Sequence, residues 1–399
     1  MKKVVLAYSG GLDTSYCGVY LSKTMGLEVH AVLADTGGFS SQDIETVKNR
    51  AYEIGCSSFT CLDVSQKYYD DTVKYMIFGN MLKNGTYPIS VSSERISQAI
   101  AVAQYALSID ANYICHGSTG AGNDQVRFDM IFGIVAPKIE VLALIREKGL
   151  SRSQEIDFLK EHGIEMDFVK AEYSINKGLW GTSVGGKETL TSSQPLPEEA
   201  YTLHCKKNEN ETINISLSFV KGELVGINGM NYNSLEAIKK LQDIAGEYAI
   251  GRGMHIGDTV IGIKGRVGFE AAAPIIIIKA HNTLEKHTLS KWQLFWKDQI
   301  SAFYCNNLHD GLYFEPAMRD MEALLANSQR FVTGDVFVKL MPYRFEIVGI
   351  ESKHDLMDNS FATYGEVNNM WSGDDIKGFG KILSNSSMIY TTINGHDKL

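Results

Sequence analysis

Ala7-Tyr8-Ser9-Gly10-Gly11-Leu12-Asp13-Thr14-Ser15 is the stretch that decides how this chain folds. It follows an apolar run, Lys3 to Tyr8, that fits a buried strand, and it leads into a helix expected from about Thr14. Two adjacent glycines let the backbone turn tightly and approach a bound group closely. The amides of the turn and of the helix start then point at an anion. Ser9, Thr14 and Ser15 add hydroxyl donors, so the segment reads as a cradle for pyrophosphate. It is not a Walker A loop, because Gly186-Lys187 is followed by Glu188, and GxGxxG is absent. A plain strand–helix turn with a capping serine accounts for Ser9-Gly10-Gly11 alone, but less well for the whole segment in this setting.

Outward from this loop, strand and helix signals alternate over the first 165 residues. Glu28 to Ala34 and Ser58 to Val64 read as strands, as do the shorter Tyr113 to His116 and Ile139 to Leu144. Ser40-x-x-Asp43 and Ser151-x-x-Gln154 are capping boxes that open helices. Apolar residues at helical spacing run from Glu94 to Ile109. This rhythm predicts an α/β fold with a parallel sheet covered on both faces. From about Phe168 the pattern changes to an α+β one. Gly178 to Gly186 reads as a loop, Ile213 to Ile227 as a hairpin, and Val260 to Ile263, Val336 to Leu340 and Arg344 to Ile350 as strands. Asn233-x-x-Glu236 and Ser290-x-x-Gln293 cap helices, and Asp374 to Ile382 reads as a terminal one. The expected division is 1–167, 168–365 and a C-terminal arm, 366–399.

Composition narrows the function classes. The chain has 399 residues, 44% of them apolar, enough for a large core in about two domains. A net charge of −9 with no basic stripe argues against a nucleic-acid partner. No window has the apolar length of a membrane span, and the opening run ends at Ser9-Gly10-Gly11, too short for a signal peptide. The six cysteines form no CxxC pair, so free thiols in a reducing cytoplasm are expected.

A second cluster, His116-Gly117-Ser118-Thr119-Gly120-Ala121-Gly122-Asn123-Asp124-Gln125-Val126-Arg127, follows a later strand. Ligands of a parallel sheet bind at the carboxyl ends of its strands. Thr119 and Asn123 suit a carboxylate, Asp124 an ammonium group, and Arg127 a bidentate carboxylate pair, as for a zwitterionic amino acid. A glycine loop carrying an exposed Asp–Arg pair is the competing reading.

These two motifs carry a family resemblance. The first is similar to the SGGxDS loop of the ATP pyrophosphatase superfamily, whose members split ATP between the α and β phosphates and adenylate a carbonyl or ureido oxygen. HGSTGAGNDQVRF resembles the HGxTGKGNDQVRF segment of argininosuccinate synthases, and the likeness runs on through Tyr87-Pro88-Ile89-Ser90-Val91-Ser92, Tyr173-Ser174 and Thr182-Ser183. It covers most of the chain and is strongest over residues 1–190.

The resemblance implies ATP at Ala7 to Ser15 (Ala7, Tyr8, Ser9, Gly10, Gly11, Leu12, Asp13, Thr14 and Ser15), Ala34 and Gly117. It implies aspartate at Thr119, Asn123 and Asp124, and citrulline at Tyr87, Ser92, Asn123, Arg127, Ser174 and Ser183. Mg²⁺ with the ATP, a homotetramer and a synthetase domain with an arm in subunit contacts are implied in the same way. No catalytic side chain is assigned.

Three positions depart from the family pattern. Ala121 stands where the family has Lys, Gly257 where it has Glu, and Phe269 where it has Tyr. Either Asp258 or Glu270 replaces the lost carboxylate, or the substrate is an Nα-acylated citrulline whose acyl tail meets Lys264 or Arg266. A sulfur-transferring tRNA-modifying enzyme and a non-catalytic nucleotide-binding protein are the remaining alternatives.

Overall fold

The computed structural model describes residues 1–165, 173–357, 360–366 and 370–395. The chain forms two compact units, Met1–His354 and Asp355–Leu399. The boundary expected at 167 lies outside the described residues.

The predicted parallel sheet is present. Its strands are β1 (Lys3–Ala7), β2 (Glu28–Asp35), β3 (Ser58–Asp63), β4 (Tyr113–Cys115) and β5 (Glu140–Leu142), in the order β3-β2-β1-β4-β5. Val4, Val5 and Leu6 are fully buried because helices cover both faces, which is why β1 reads as a continuous apolar run. The helices of this region include α1 (Leu12–Val19), α2 (Ser41–Glu53), α3 (Ser90–Ser108), α4 (Asp124–Val135) and α5 (Arg152–Glu161). Both capping boxes form as read: Ser40 with Asp43, and Ser151 with Gln154. Asn233 and Ser290 cap their helices, Ser234–Gly246 and Lys291–Asp310, as expected.

The start of α3 departs from expectation. The helix begins at Ser90, four residues before Glu94, because Ile89 adopts φ 48° and turns the chain into it. A β-branched residue in the left-handed region is strained by about 1–3 kcal/mol. Complete burial of Ile89, beside Tyr87 and Ser90, holds it there.

Two antiparallel sheets follow. One contains β6 (Ser174–Gly178), β7 (Gly181–Gly185), β11 (Arg252–Asp258) and β12 (Lys264–Glu270), in the order β11-β12-β7-β6. The other contains β8 (Ile213–Val220), β9 (Glu223–Ile227), β10 (Met230–Asn231), β13 (Gly334–Met341) and β14 (Arg344–Glu351), in the order β10-β9-β8-β13-β14. The β8–β9 hairpin and the β13–β14 pair are as expected.

The first sheet corrects two readings. Gly178 to Gly186, expected as a loop, is largely the β6–β7 hairpin, whose turn buries Trp180 completely. Val260 to Ile263, expected as a strand, lies in the turn between β11 and β12, closed by Thr259 N–H donating to the Ile263 carbonyl at 2.9 Å. Gly253 and Gly257 hide the true strand from sequence periodicity. At Gly253 the missing side chain is a packing requirement, because the Phe269 ring lies across it and a β-carbon there would overlap the ring.

Pro274 sits in the first turn of the helix Ala272–Thr288, where its missing N–H costs nothing. All six cysteines are free thiols. Among the described residues no helix is long and apolar enough to cross a membrane. The second unit contains the expected terminal helix, Gly373–Leu383, capped by Ser372, and a further helix, Asn385–Asn394.

Candidate functional site

The loop read as a phosphate cradle lies at the carboxyl edge of the parallel sheet, where β1 and β4 are neighbours and the strand order reverses. Gly10 takes φ +76°, and its carbonyl accepts from Arg50 Nη1 at 2.8 Å, which pins the turn to α2. The first helical bond of α1 runs from Ser15 N–H to the Gly11 carbonyl at 3.0 Å. The amides of Leu12, Asp13 and Thr14 precede it and are oriented for an anion. Ser9 Oγ and Thr14 Oγ1 lie 3.4 Å apart at the exposed mouth. Ser15 differs from the expectation of a third hydroxyl donor. Its side chain is buried and meets Tyr8 Oη at 3.3 Å, so these two support the loop from beneath.

Ala34, next to last in β2, lies on the same edge, its carbonyl accepting from Gln98 Nε2 at 3.3 Å. Gly117, after β4, packs flat on the start of α1, and a β-carbon there would lie 3.1 Å from the Thr14 nitrogen. The two motifs therefore meet. His116 holds the second loop: its Nδ1 accepts from Ser118 N–H at 3.2 Å, which places the ring proton on Nε2, facing Asp129 at 3.1 Å. Asp129 also pairs with Arg146 at 2.5 Å, and the stem of Arg146 lies against Gly120. Arg146 thus brings a guanidinium close to the loop in which Ala121 replaces a lysine. Thr119 is exposed on that loop.

Asp124 is more committed than its expected role as an ammonium anchor suggests. Oδ2 accepts from Arg95 Nε at 2.9 Å and Oδ1 from Arg127 Nη1 at 2.7 Å. Burial pushes this carboxyl up, but the two guanidiniums outweigh it and hold it below the usual carboxylate range. Arg95 also donates to Asn176 on β6, and Arg127 Nε donates to the His309 carbonyl at 2.8 Å. Asn123 Oδ1 accepts from Val260 N–H at 2.9 Å, linking the loop to the β11–β12 turn. Arg95 was missed in the sequence; its one signal is the i, i+3 spacing from Ser92.

The remaining residues assigned to citrulline divide into two groups. Tyr87 is buried, stacks on His255 with centroids 5.2 Å apart, and meets Phe269 at 5.5 Å. Ser183 is paired with Phe269 across β7 and β12. Ser92 is buried and donates to the Ile89 carbonyl at 3.3 Å. Ser174, by contrast, is exposed at the start of β6.

The carboxylates expected to replace the missing one at 257 have other partners in this structure. Glu270 is buried and accepts from Thr202 and from the Leu203 amide. Asp258 is exposed and pairs with Lys264 at 2.6 Å. Arg266 is likewise unavailable for an acyl tail, since its Nη1 donates to the carbonyls of Glu188, Thr191 and Gln194.

Two buried carboxyls flank the site. Burial pushes Glu94 up to about 8, against the pull of Arg95 and of its contacts to Thr36 and Trp180. Burial and the neighbouring Asp13 carboxylate push Glu155 up to about 8. A β-carbon on Gly178 would overlap the Glu94 carboxyl, so this glycine is what admits that side chain. Both shifts leave the folded chain holding more protons than the unfolded one between the ordinary glutamate value of 4.5 and about 8. The contribution of these two groups to stability is then expected to be greatest below this window and to be lost as pH rises through it. Thermal unfolding from pH 5 to 9 should show that decline, and Glu94→Gln with Glu155→Gln should flatten it. An unchanged slope in the double variant would refute the assignment.

A parallel-sheet domain with a glycine turn suited to phosphate at its switch point, joined to polar loops that suit amino acids, is the architecture expected of a nucleotide-dependent ligase. The family model for the Arginosuccinate synthase N-terminal HUP domain matches residues 3–165, and that for the Arginosuccinate synthase C-terminal domain matches residues 173–390. The chain is 36% identical over 366 residues to the argininosuccinate synthase of Dehalococcoides mccartyi, covering 91% of this chain and 90% of that one. It is 34% identical over 397 residues to that of Dictyoglomus thermophilum, covering 99% of each. With that of Xanthomonas campestris pv. campestris it shares 34% over 402 residues, 98% of this chain and 99% of the relative. The chain belongs to the argininosuccinate synthase family, and it is a citrulline–aspartate ligase of arginine biosynthesis that takes ATP as a substrate.

Proposed function

We propose that the reaction runs through a citrulline adenylate assembled between the phosphate loop and the 116–127 loop. The observation that supports this most directly is the packing of Gly117 on Thr14, which joins the nucleotide loop to the amino-acid loop. ATP lies with its phosphates on residues 9–15 and its nucleoside toward Ala34. The ureido oxygen of citrulline attacks the α-phosphorus and pyrophosphate departs. The aspartate amine then attacks the ureido carbon and expels AMP, giving argininosuccinate. Citrulline is held by Tyr87, Ser92, Asn123, Arg127, Ser174 and Ser183, and aspartate by Thr119, Asn123 and Asp124. Catalysis rests on positioning and on amides aimed at the leaving group.

Mg²⁺ accompanies the nucleotide in this reading. Among the described residues no three acidic, histidine or cysteine side chains cluster. Mg²⁺ typically takes one or two carboxylates together with phosphate oxygens. Asp13, partly exposed at the start of α1, fits that need and would hold it. When bound, the ion neutralises charge on the departing pyrophosphate.

The division at 167 and 365 belongs to the same proposal; the change from parallel to antiparallel sheet supports the first boundary, and the second compact unit begins earlier than the second boundary, at Asp355. A homotetramer is supported by the arm, where Ile376, Phe379 and Leu383 are exposed at helical spacing. A cytoplasmic location is supported by the six free thiols.

Sustained pyrophosphate release over many turnovers is expected to require ATP, citrulline and aspartate together. Labelled pyrophosphate is expected to exchange into ATP with citrulline alone. Exchange that needs aspartate and not citrulline would refute the adenylate assignment.

A further inference from the structure

His255 and Gly257 lie two apart on β11, so their side-chain directions share one face of the sheet. A β-carbon on Gly257 would lie 2.7 Å from His255 Nε2 and 3.1 Å from Asn84 Nδ2. The imidazole therefore occupies the space that a side chain at 257 would need. It does so against the residues assigned to citrulline, because its ring stacks on Tyr87 at an interplanar angle of 24°.

The hydrogen bonds of Thr86 orient the ring. The Thr86 hydroxyl meets His255 Nδ1 at 3.2 Å and the Lys83 carbonyl at 3.4 Å, which fits the tautomer with its proton on Nδ1. That leaves a lone pair on Nε2. Burial, with His309 and Lys83 nearby, lowers the imidazole to about 4, so it stays a neutral acceptor at pH 7. The nearby carboxylates are committed elsewhere: Asp124 to Arg95 and Arg127, Glu270 to Thr202 and Leu203, and Asp258 to Lys264.

The ureido end of citrulline must reach the phosphate loop, so its amino-acid end falls to this corner. Arg127 supplies a cation for the carboxylate there. An acceptor for the adjacent ammonium group is still required, and His255 Nε2 is placed to be one.

We propose that His255 is a specificity-determining residue of the citrulline pocket, its Nε2, seated beside Gly257, accepting a hydrogen bond from the substrate's α-ammonium group. This rests on the assignment of citrulline to Tyr87 and Arg127. His255→Phe keeps a ring against Tyr87 and removes the acceptor. It is expected to raise the citrulline KM about tenfold, the loss of one charge-assisted hydrogen bond, with kcat, ATP KM and aspartate KM little changed. The wild type is expected to prefer citrulline to the ureido acid that lacks the α-amine, and His255→Phe to lose that preference.

Gly257→Glu alone is expected to impair citrulline use, because its β-carbon meets the imidazole. In a His255→Ala background the same carboxylate is expected to restore the citrulline KM. A folded His255→Phe variant with unchanged citrulline KM, or with equal losses for all three substrates, would overturn the proposal. A wild-type enzyme that releases no pyrophosphate with citrulline would instead overturn the substrate assignment on which it rests.

Discussion

Gly11→Val is expected to abolish pyrophosphate release while leaving the fold intact. Gly11 has φ −80°, a conformation open to any residue, and the nearest atom to a β-carbon there is Ser9 Oγ at 3.5 Å. The substitution thus brings little strain and no internal clash. Its branched side chain instead projects into the space above the amides of Leu12, Asp13 and Thr14. Removing a single oriented donor from a developing anion lowers turnover by about 10²–10³, and displacing the whole phosphate group costs at least that much. Gly10 is a poorer test, because its φ of +76° and the 3.0 Å approach to Val47 would confound folding with binding. Single-turnover assays beside thermal unfolding decide the matter. A Gly11→Val protein with a normal unfolding midpoint and normal activity would remove the loop from the mechanism.

Asp124→Asn is expected to impair the use of both amino acids. In the sequence this residue reads as an anchor for aspartate alone, and adenylation of citrulline would then survive its loss. The tertiary contacts change that expectation. Asp124 also fixes Arg95 and Arg127, and Arg127 is the proposed partner of the citrulline carboxylate. An amide offers one acceptor oxygen in place of two, so one guanidinium loses its partner. A hydrogen bond to a charged group contributes about 1.5–3 kcal/mol, so KM for citrulline and for aspartate should each rise about tenfold or more. Exchange of pyrophosphate into ATP with citrulline alone should fall as well. If exchange were unchanged and aspartate use alone suffered, Asp124 would contact aspartate without organising Arg127.

The parts of the fold legible in the sequence are those fixed by contacts close in the chain. The β1 run, the Gly10-Gly11 turn and the capping pairs at Ser40, Ser151, Asn233 and Ser290 each depend on neighbours within a few residues. Such signals survive without knowledge of the rest of the molecule. The β6–β7 and β11–β12 hairpins were not legible. Their strands are rich in glycine, and their pairing is fixed across the sheet, with Gly253 beneath Phe269 and Gly257 beside His255. A glycine that makes room for a distant ring looks the same in one dimension as a glycine in a loop.

The site divides along the same line. The glycine turn of residues 9–15 and the polar run 116–127 were legible in the sequence, because in each the candidate chemistry lies in consecutive residues at the end of one strand. Only the tertiary structure decided how the remaining side chains are used. It turned Ser15 inward onto Tyr8, tied Asp124 to Arg95 across 29 positions, and committed Glu270 to Thr202 across 68. It also set His255 against Tyr87. A charged or polar side chain is assigned by whichever partner satisfies it once water is excluded, and those partners are brought together by packing rather than by order along the chain.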